Sequence, residues 1–524
     1  MPYPDQLTLS QARDSVARAD AHTQTVLAML AGDHWLLGLG WVGPRLPADN
    51  PLAGEFLEAV RVQFMPKNAV GEIARRHVGA VLGRYPSIKL ALRDATAEPI
   101  EAEGAEMKAG EGALTAWLDR VGALQRLQQF GRDLLLGRAH LRSYVPTGQL
   151  RAGRVPSGDL LATIRRIGLM VPTPGTAQVV EDEETGVHYA IFRSRTRQGA
   201  EVAEVSYLNP QGQTVIRRLE AAASALILDA SGDPAQLQGD KATDPLDLHG
   251  LLTVTEATRE QFLTPTLVRN NWMLNFAKTA ILRNAELAAV LERYGIGILP
   301  PGQYVKDLNA PGGLRFQPDA SYRPGGANAT FFTPNTFIDE NGQVQVIGSG
   351  QYGRFEPVKP DALIATKQDA YHDMLDEGAQ SHMRMAGDAT ASGESRIQAM
   401  NDFKTSLYAT ATAVEGALAT HLEMVLALAA ALSGNPGRFA RYRVVVQCKI
   451  LAAQPTVDER RQILEERNGG LRTTENAMSE IGVEDTDQML AGVRAEQEEK
   501  LRQGQAAADA LTKLLDPPKA DGGG

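Results

Sequence analysis

The sequence predicts an α+β fold, mainly helical, and three observations carry that expectation. One helical pattern runs without a proline from Glu394 to Leu432, a second spans about Thr258 to Arg293, and residues 151–250 contain stretches in which apolar and polar side chains alternate. In the first pattern Met400, Phe403, Leu407, Val414, Leu418, Leu422, Val425, Leu428 and Leu432 recur at steps of three, four or seven, the period of an amphipathic helix. Its 39 residues span roughly 58 Å at about 1.5 Å per residue, far beyond the ~11 residues of an average globular helix. A strut of that length suits a part of an assembly.

The elements follow in chain order. Residues 1 to about 150 read mainly as helix, most clearly in Gly71–Gly83 and in Thr115–Leu141. VHYAIFRSR and EVAEVSYLN then alternate as strands do, and NPQGQ supplies the turn before TVIRRLE, which makes a β-meander over about 185–220. In the helix from about Thr258, Leu263, Leu267, Leu274, Ile281 and Val290 lie at near-heptad spacing, and Pro265 sits near the first turn, where its missing N–H costs nothing. From Tyr294 to Lys359 the pattern breaks into PPGQY, NAPGG, RPGGANA and ENGQ with short β-like pieces between, a compact β-rich insertion between two helices. Helix returns at Pro360 and runs to Glu377 before Gly378. The loop HMRMAGDATASGE, His382 to Glu394, leads into the long helix. A strand at Tyr442–Leu451, a helix at Thr456–Arg467 and a shorter helical pair through Leu490 follow, and the tail PPKADGGG reads as disordered.

Composition excludes several classes. With 53 Lys plus Arg against 63 Asp plus Glu, the formal charge of −10 argues against a tight, sequence-reading DNA binder. The single cysteine, Cys448 in RVVVQCKI, has no partner for an intramolecular disulfide and reads as a buried position in a reduced compartment. Asp5, Arg13, Asp14, Arg18 and Asp20 leave no room for a secretory signal, and the longest apolar run, Met424 to Leu432, has nine residues where a membrane span needs about 20. The expectation is a soluble protein made in a cytoplasm, with no membrane partner.

Catalytic and cofactor motifs are scarce. GLGWVG at 38–43 matches GxGxxG formally, but Pro44 and Pro47 forbid the helix whose N–H groups hold a pyrophosphate, so the segment reads as a turn flanked by Trp35 and Trp41. The nine histidines show no HExxH or HxxxH spacing, and one cysteine cannot build a thiolate site, so no metal and no cofactor is expected. The acidic runs Glu181–Glu184 and Glu496–Lys500 read as solvated faces. Nothing resembles a nucleophile elbow, a Walker loop or a zinc deaminase signature, and no enzymatic activity is expected. Lys278, Arg283 and Arg293 on one strut and Lys367 on the other either face a nucleic acid backbone or pair with Glu286, Glu292 and Asp369.

In this serial order the segments resemble the portal proteins of tailed double-stranded DNA bacteriophages. NAVGEIARRHVGAVLG (Asn68–Gly83) is similar to a helix near the start of their wing, YVPTG after GRAHLRS to its edge strand, LNFAKTAILRNAE (Leu274–Glu286) to their first stem helix, and Asn468–Leu490 to the segment leading into their crown. The resemblance implies a wing at 1–255, a first stem helix at 256–293, a clip at 294–358 and a second stem helix at 359–377. It further implies a channel loop at 378–393, a long wing helix with its return strand at 394–455, a helical crown at 456–516 and a disordered tail at 517–524. The loop residues it singles out are His382, Met383, Arg384, Met385, Gly387, Asp388, Ser392, Gly393 and Glu394, with Lys278, Arg283 and Lys367 as channel-facing stem charges. Functionally it implies a homo-oligomeric ring, usually of twelve subunits, at one capsid vertex of the virion. Double-stranded DNA would pass through non-specifically during packaging and ejection. The implied partners are the terminase large subunit, major capsid and scaffolding proteins, and head-tail adaptor proteins. The alternative readings are another virion structural or adaptor protein, which would lack the meander, and a nucleotide-binding enzyme using GLGWVG.

Overall fold

A computed structural model describes residues 4–34, 62–94, 101–145, 159–182, 186–196, 199–220, 241–242, 245–289, 359–385, 393–450 and 457–469, short strand segments between 293 and 354, and isolated positions 309, 474, 478 and 502. GLGWVG with Trp35 and Trp41, the loop residues Gly387, Asp388 and Ser392, nearly all of the expected crown beyond 469 and the tail lie outside the described residues. The chain divides into two compact units, Met1–Cys448 and Lys449–Gly524. The fold is α+β, with about half of the residues helical and small sheets.

The first unit opens with α1 (Leu9–Ser15) and α2 (Ala21–Leu30), each started by a polar cap. Thr8 and Gln11 form a reciprocal capping box, and Asp20 accepts the Thr23 N–H at 2.6 Å, which holds its carboxyl below the usual range. In α3 (Ala69–Leu82) the cap is Asn68, whose Oδ1 accepts the Gly71 N–H while its Nδ2 donates to the Met29 carbonyl, both at 2.7 Å. One side chain thus starts α3 and ties it to the end of α2.

After β1 (Ser87–Leu92) come α4 (Glu101–Arg120), α5 (Ala123–Leu134) and β2 (Arg138–Tyr144). This corrects the single helical segment expected over Thr115–Leu141. Gly122 adopts φ +58, a left-handed conformation that ends one helix before the next begins, and Arg138–Leu141 are strand. α6 (Leu160–Ile164) and β3 (Gly168–Met170) follow. The meander comprises β4 (Ala177–Asp182), β5 (Val187–Arg195), β6 (Glu201–Leu208), β7 (Thr214–Glu220) and β8 (Lys241–Ala242), all antiparallel neighbours in that order. Tyr189 and Ile191 pack with Leu7, Ala12 and Val16 beside α1, whereas Ala190 and Phe192 pack with Ala177, Leu252 and Val254. Both faces of β5 are therefore covered, and period two explains why its centre is an unbroken apolar run. β9 (Val254–Thr258) pairs with β2, which also pairs with β3, so β2 is the middle of three strands, while YVPTG beyond Val145 lies outside the described residues.

The first long strut is α7 (Pro265–Ala289), shorter at both ends than the 256–293 expected. Val254–Thr258 belongs to β9, because its backbone satisfies β2, and Pro265 is the first helical residue. The β-rich excursion is a nest of antiparallel pairs. β10 (Arg293–Ile296) pairs with β17 (Gln351–Arg354), β11 (Ile298–Leu299) with β14 (Thr333–Pro334), β12 (Gly302–Lys306) with β13 (Leu314–Pro318), and β15 (Thr336–Ile338) with β16 (Val344–Val346). The outermost pair closes the excursion where it leaves α7 and enters α8 (Asp361–Glu377), and α7 and α8 pack on each other more extensively than any other two elements.

After α9 (His382–Met385), α10 (Gly393–Leu432) spans forty residues, about 60 Å. Phe403, Leu407, Val414 and Leu418 bury one stripe, while almost every residue from His421 to Ala430 is buried, so the helix passes from a half-wet surface into the middle of the unit. A window within Gln398–Leu432 has mean hydropathy 1.4, as apolar as a membrane span, and 67% of it is buried inside the protein itself. β18 (Tyr442–Gln447) then pairs with β1 from Ser87–Gln447 to Leu92–Tyr442. Cys448, just past that strand, is buried, and burial with Glu415 nearby pushes its thiol up to about 12. The second unit contains α11 (Val457–Asn468), with Gln462 donating to Glu466 at 3.0 Å.

Candidate functional site

The α7–α8 pair is held to the rest of its unit by a polar ladder. Asn271, Asn275 and Thr279 stand four residues apart on α7 and are all buried. Asn271 Oδ1 accepts the N–H of Ala69 at 3.0 Å, Asn275 Oδ1 that of Lys67 at 2.7 Å, and Thr279 Oγ1 that of Met65 at 3.2 Å. The match is geometric. Four helical residues rise about 6.0 Å and two extended residues about 6.6 Å, so an extended segment running opposite to the helix meets every fourth side chain with every second N–H.

That ladder places the Lys67 side chain against the helix pair. Its Nζ lies 3.9 Å from the Tyr371 ring centroid and 3.9 Å from Glu72 Oε2, and Arg76 reaches the same carboxylate at 3.8 Å. Lys278 of α7 is held below the usual ammonium range first by burial, then by Lys67 and by Lys367 of α8, with Glu72 opposing. The structure therefore brings Lys278 and Lys367 into one basic cluster and adds Lys67 to it. Arg283 is not among the charges acting on Lys278. Ile281, one of the near-heptad apolar positions of α7, is half-buried in the single chain.

The approach to the central loop is fixed with equal care. Gly378 ends α8 so close to α3 that a Cβ there would meet Ile73 Cγ2 at 2.9 Å and the Met374 carbonyl at 3.0 Å. Gln380 is fully buried; its Nε2 donates to the Ile73 carbonyl at 2.9 Å, its Oε1 accepts from Arg76 at 3.4 Å, and its N–H reaches the Leu375 carbonyl at 2.6 Å. His382 packs its ring 4.7 Å from that of Phe403 on α10, and burial, with Arg76 nearby, lowers its pKa. Arg384 pairs with Asp376 at 3.5 Å. His382–Met385 thus form a helical turn docked on α3 and α10 where a loop was expected, and Met383 and Arg384 are its exposed face. Gly393 and Glu394 open α10, because the helix starts one residue before the expected boundary.

Two buried histidines tie this region together. His77 of α3 shares the Thr410 hydroxyl of α10 with Arg259, with Nε2 at 2.8 Å, and its ring lies 4.3 Å from Phe262. His421 of α10 bridges Ser143 Oγ at 2.9 Å and Thr255 Oγ1 at 3.1 Å on β2 and β9. Burial drives both rings down to about 3, so they are neutral and each can donate through one nitrogen and accept through the other. The Ser143–His421 contact has the atoms of a nucleophile and its base, but both residues are 0% exposed and no substrate reaches them. Arg142, also buried, grips Glu204 through Nε at 3.1 Å and Nη2 at 2.5 Å, which joins β2 to the meander. Among the described residues no group of three or more His, Cys, Asp or Glu side chains is placed to hold a metal ion.

Comparison with known proteins adds no family: no protein-family model matches the chain, and no curated protein matches it.

Proposed function

We propose that the chain is a portal protein of a tailed double-stranded DNA bacteriophage: one subunit of a ring, about twelve-fold, that channels DNA and does no chemistry on it. The observation that carries this reading is the helix pair α7–α8. At one end it bears a β excursion closed by the β10–β17 pair, and at the other it leads through a docked turn into residues 386–392 and the forty-residue α10. In this reading the excursion is the clip that terminase and adaptors dock on, the helix pair is the stem, and the residues between α9 and α10 are the channel loop. The half-buried Ile281 completes its burial against the next subunit. The Lys67–Lys278–Lys367 cluster meets passing phosphates, while the net charge of −10 keeps the duplex from sticking.

Two outcomes test it. Deleting Ala386–Ala391 leaves ring assembly intact, since the flanking turn is anchored by Gln380 and His382, but lowers DNA packaging or retention; failure to form rings would make the loop structural instead. Changing Lys67, Lys278 and Lys367 together to Gln makes the dependence of log affinity for duplex DNA on log salt shallower by roughly 0.9 for each phosphate that the lysines no longer neutralise. An unchanged slope would remove the cluster from the DNA path.

A further inference from the structure

A cavity of about 260 Å³ beside the end of α4 is lined by Arg120, Arg126 and Arg166 together with Tyr144, and among the described residues no carboxylate lines it. We infer that it is a binding site for a phosphate group. The inference does not depend on the portal reading, because none of these residues belongs to the helix pair, the loop or the lysine cluster.

Three guanidinium groups around one opening repel one another, and in a chain with ten more acidic than basic residues the lack of a carboxylate among the described lining residues stands out. Among the described residues neither Arg120 nor Arg126 meets a carboxylate. Arg120 lies in the last turn of α4, where the helix dipole welcomes a cation, but Arg126 lies in the first turn of α5, where the dipole opposes one. No acidic side chain occupies that turn to compensate. A bound oxyanion answers the charges of Arg120 and Arg126 at once. Guanidinium forks match phosphate oxygens in pairs, and the Tyr144 ring, 39% exposed, forms the wall of the site with Arg142 5.1 Å from its centroid. The size selects a small ligand, since the volume falls just under the ~300 Å³ at which drug-sized pockets begin.

The contrast with a larger cavity, about 310 Å³, near α1 and β5 sharpens the assignment. That cavity also has arginines, but Glu201 in its lining pairs with Arg195 at 3.8 Å, and Arg13 pairs with the adjoining Asp14 at 3.1 Å. Among the described residues the smaller cavity has no such partner for Arg120 or Arg126.

The test is calorimetric titration of the full chain with inorganic phosphate at pH 7.5, against chloride of matched ionic strength. The wild type binds phosphate saturably with a Kd below about 1 mM, and Arg120→Gln with Arg126→Gln weakens it at least about tenfold. Because Arg126 is half-buried, the exposed Arg120→Gln alone is measured beside it, with circular dichroism to show the fold retained. A fluorescent duplex competed with phosphate separates the sources: displacement that is lost in the double variant assigns the site to backbone phosphates, and phosphate binding without displacement assigns it to free phosphate compounds. Heat no different from chloride, or phosphate binding unchanged in both variants, overturns the proposal.

Discussion

Replacing His421 with alanine destabilises the folded chain by about 3–5 kcal/mol, read as the change in free energy of unfolding by denaturant. The substitution leaves a cavity in the part of α10 that is buried all round, and it strips Ser143 Oγ and Thr255 Oγ1 of the ring that bridges them. The abandoned Ser143 hydroxyl, fully buried, costs roughly 1–3 kcal/mol and the half-buried Thr255 hydroxyl less, which is why the loss exceeds that of a simple packing defect. The same residue sets an acid limit. His77 and His421 have folded pKa values of about 3, below the ordinary 6.5, so the unfolded chain binds protons more readily between those values. Their contribution is fully present above about pH 6.5 and is lost as pH falls towards 3; at pH 5 the two together cost about 4 kcal/mol. Between pH 7.5 and 5 the wild type therefore loses about 2 kcal/mol more stability than His421→Gln does. Equal slopes would show that His421 is not held neutral.

The second large effect has the opposite sign with pH. Asp133 of α5 is 5% exposed, no hydrogen-bond partner reaches its Oδ2 among the described residues, and burial raises its carboxyl to about 7 against the pull of Arg132. A folded pKa above the unfolded 3.8 means that the folded chain binds the proton more tightly, so stability is present at low pH and declines as pH rises from about 4 through 7. Asp133→Asn, which cannot ionise, is expected to gain about 3 kcal/mol more over wild type at pH 8 than at pH 4.5, by urea unfolding at the two values. A gain of equal size at both would mean that packing, not charge, is what the substitution relieves. With histidines failing on the acid side and Asp133 on the basic side, maximal stability lies near pH 6 to 7.

Much of the helical frame is legible in the sequence because period 3.6 survives wherever one face is buried. α10, α7 and α8 show it, with a proline at the start of α7 and of α8 and the glycine after Glu377 marking limits. Residues 138–141 are not legible as strand. Their apolar spacing continues that of α5, and only pairing with β9 makes them extended. The site shows the same division. Lys278 and Lys367 are visible as basic residues on struts, but Lys67 joins them only through the hydrogen-bond ladder. That ladder has a signal, Asn271, Asn275 and Thr279 at a spacing of four, which reads as a solvated stripe until an extended segment is placed over it. His382–Met385 read as loop because Ala and Gly follow them, whereas Gln380, Arg76 and Phe403 fix them as a docked turn through contacts that span much of the chain.

The most direct test of the ring is the mass and symmetry of the purified protein, by light scattering and then single-particle electron microscopy. The portal reading predicts a closed ring of about a dozen copies, with a central hole bordered by Pro265–Ala289 and Asp361–Glu377. A compact dimer with a filled centre would contradict it.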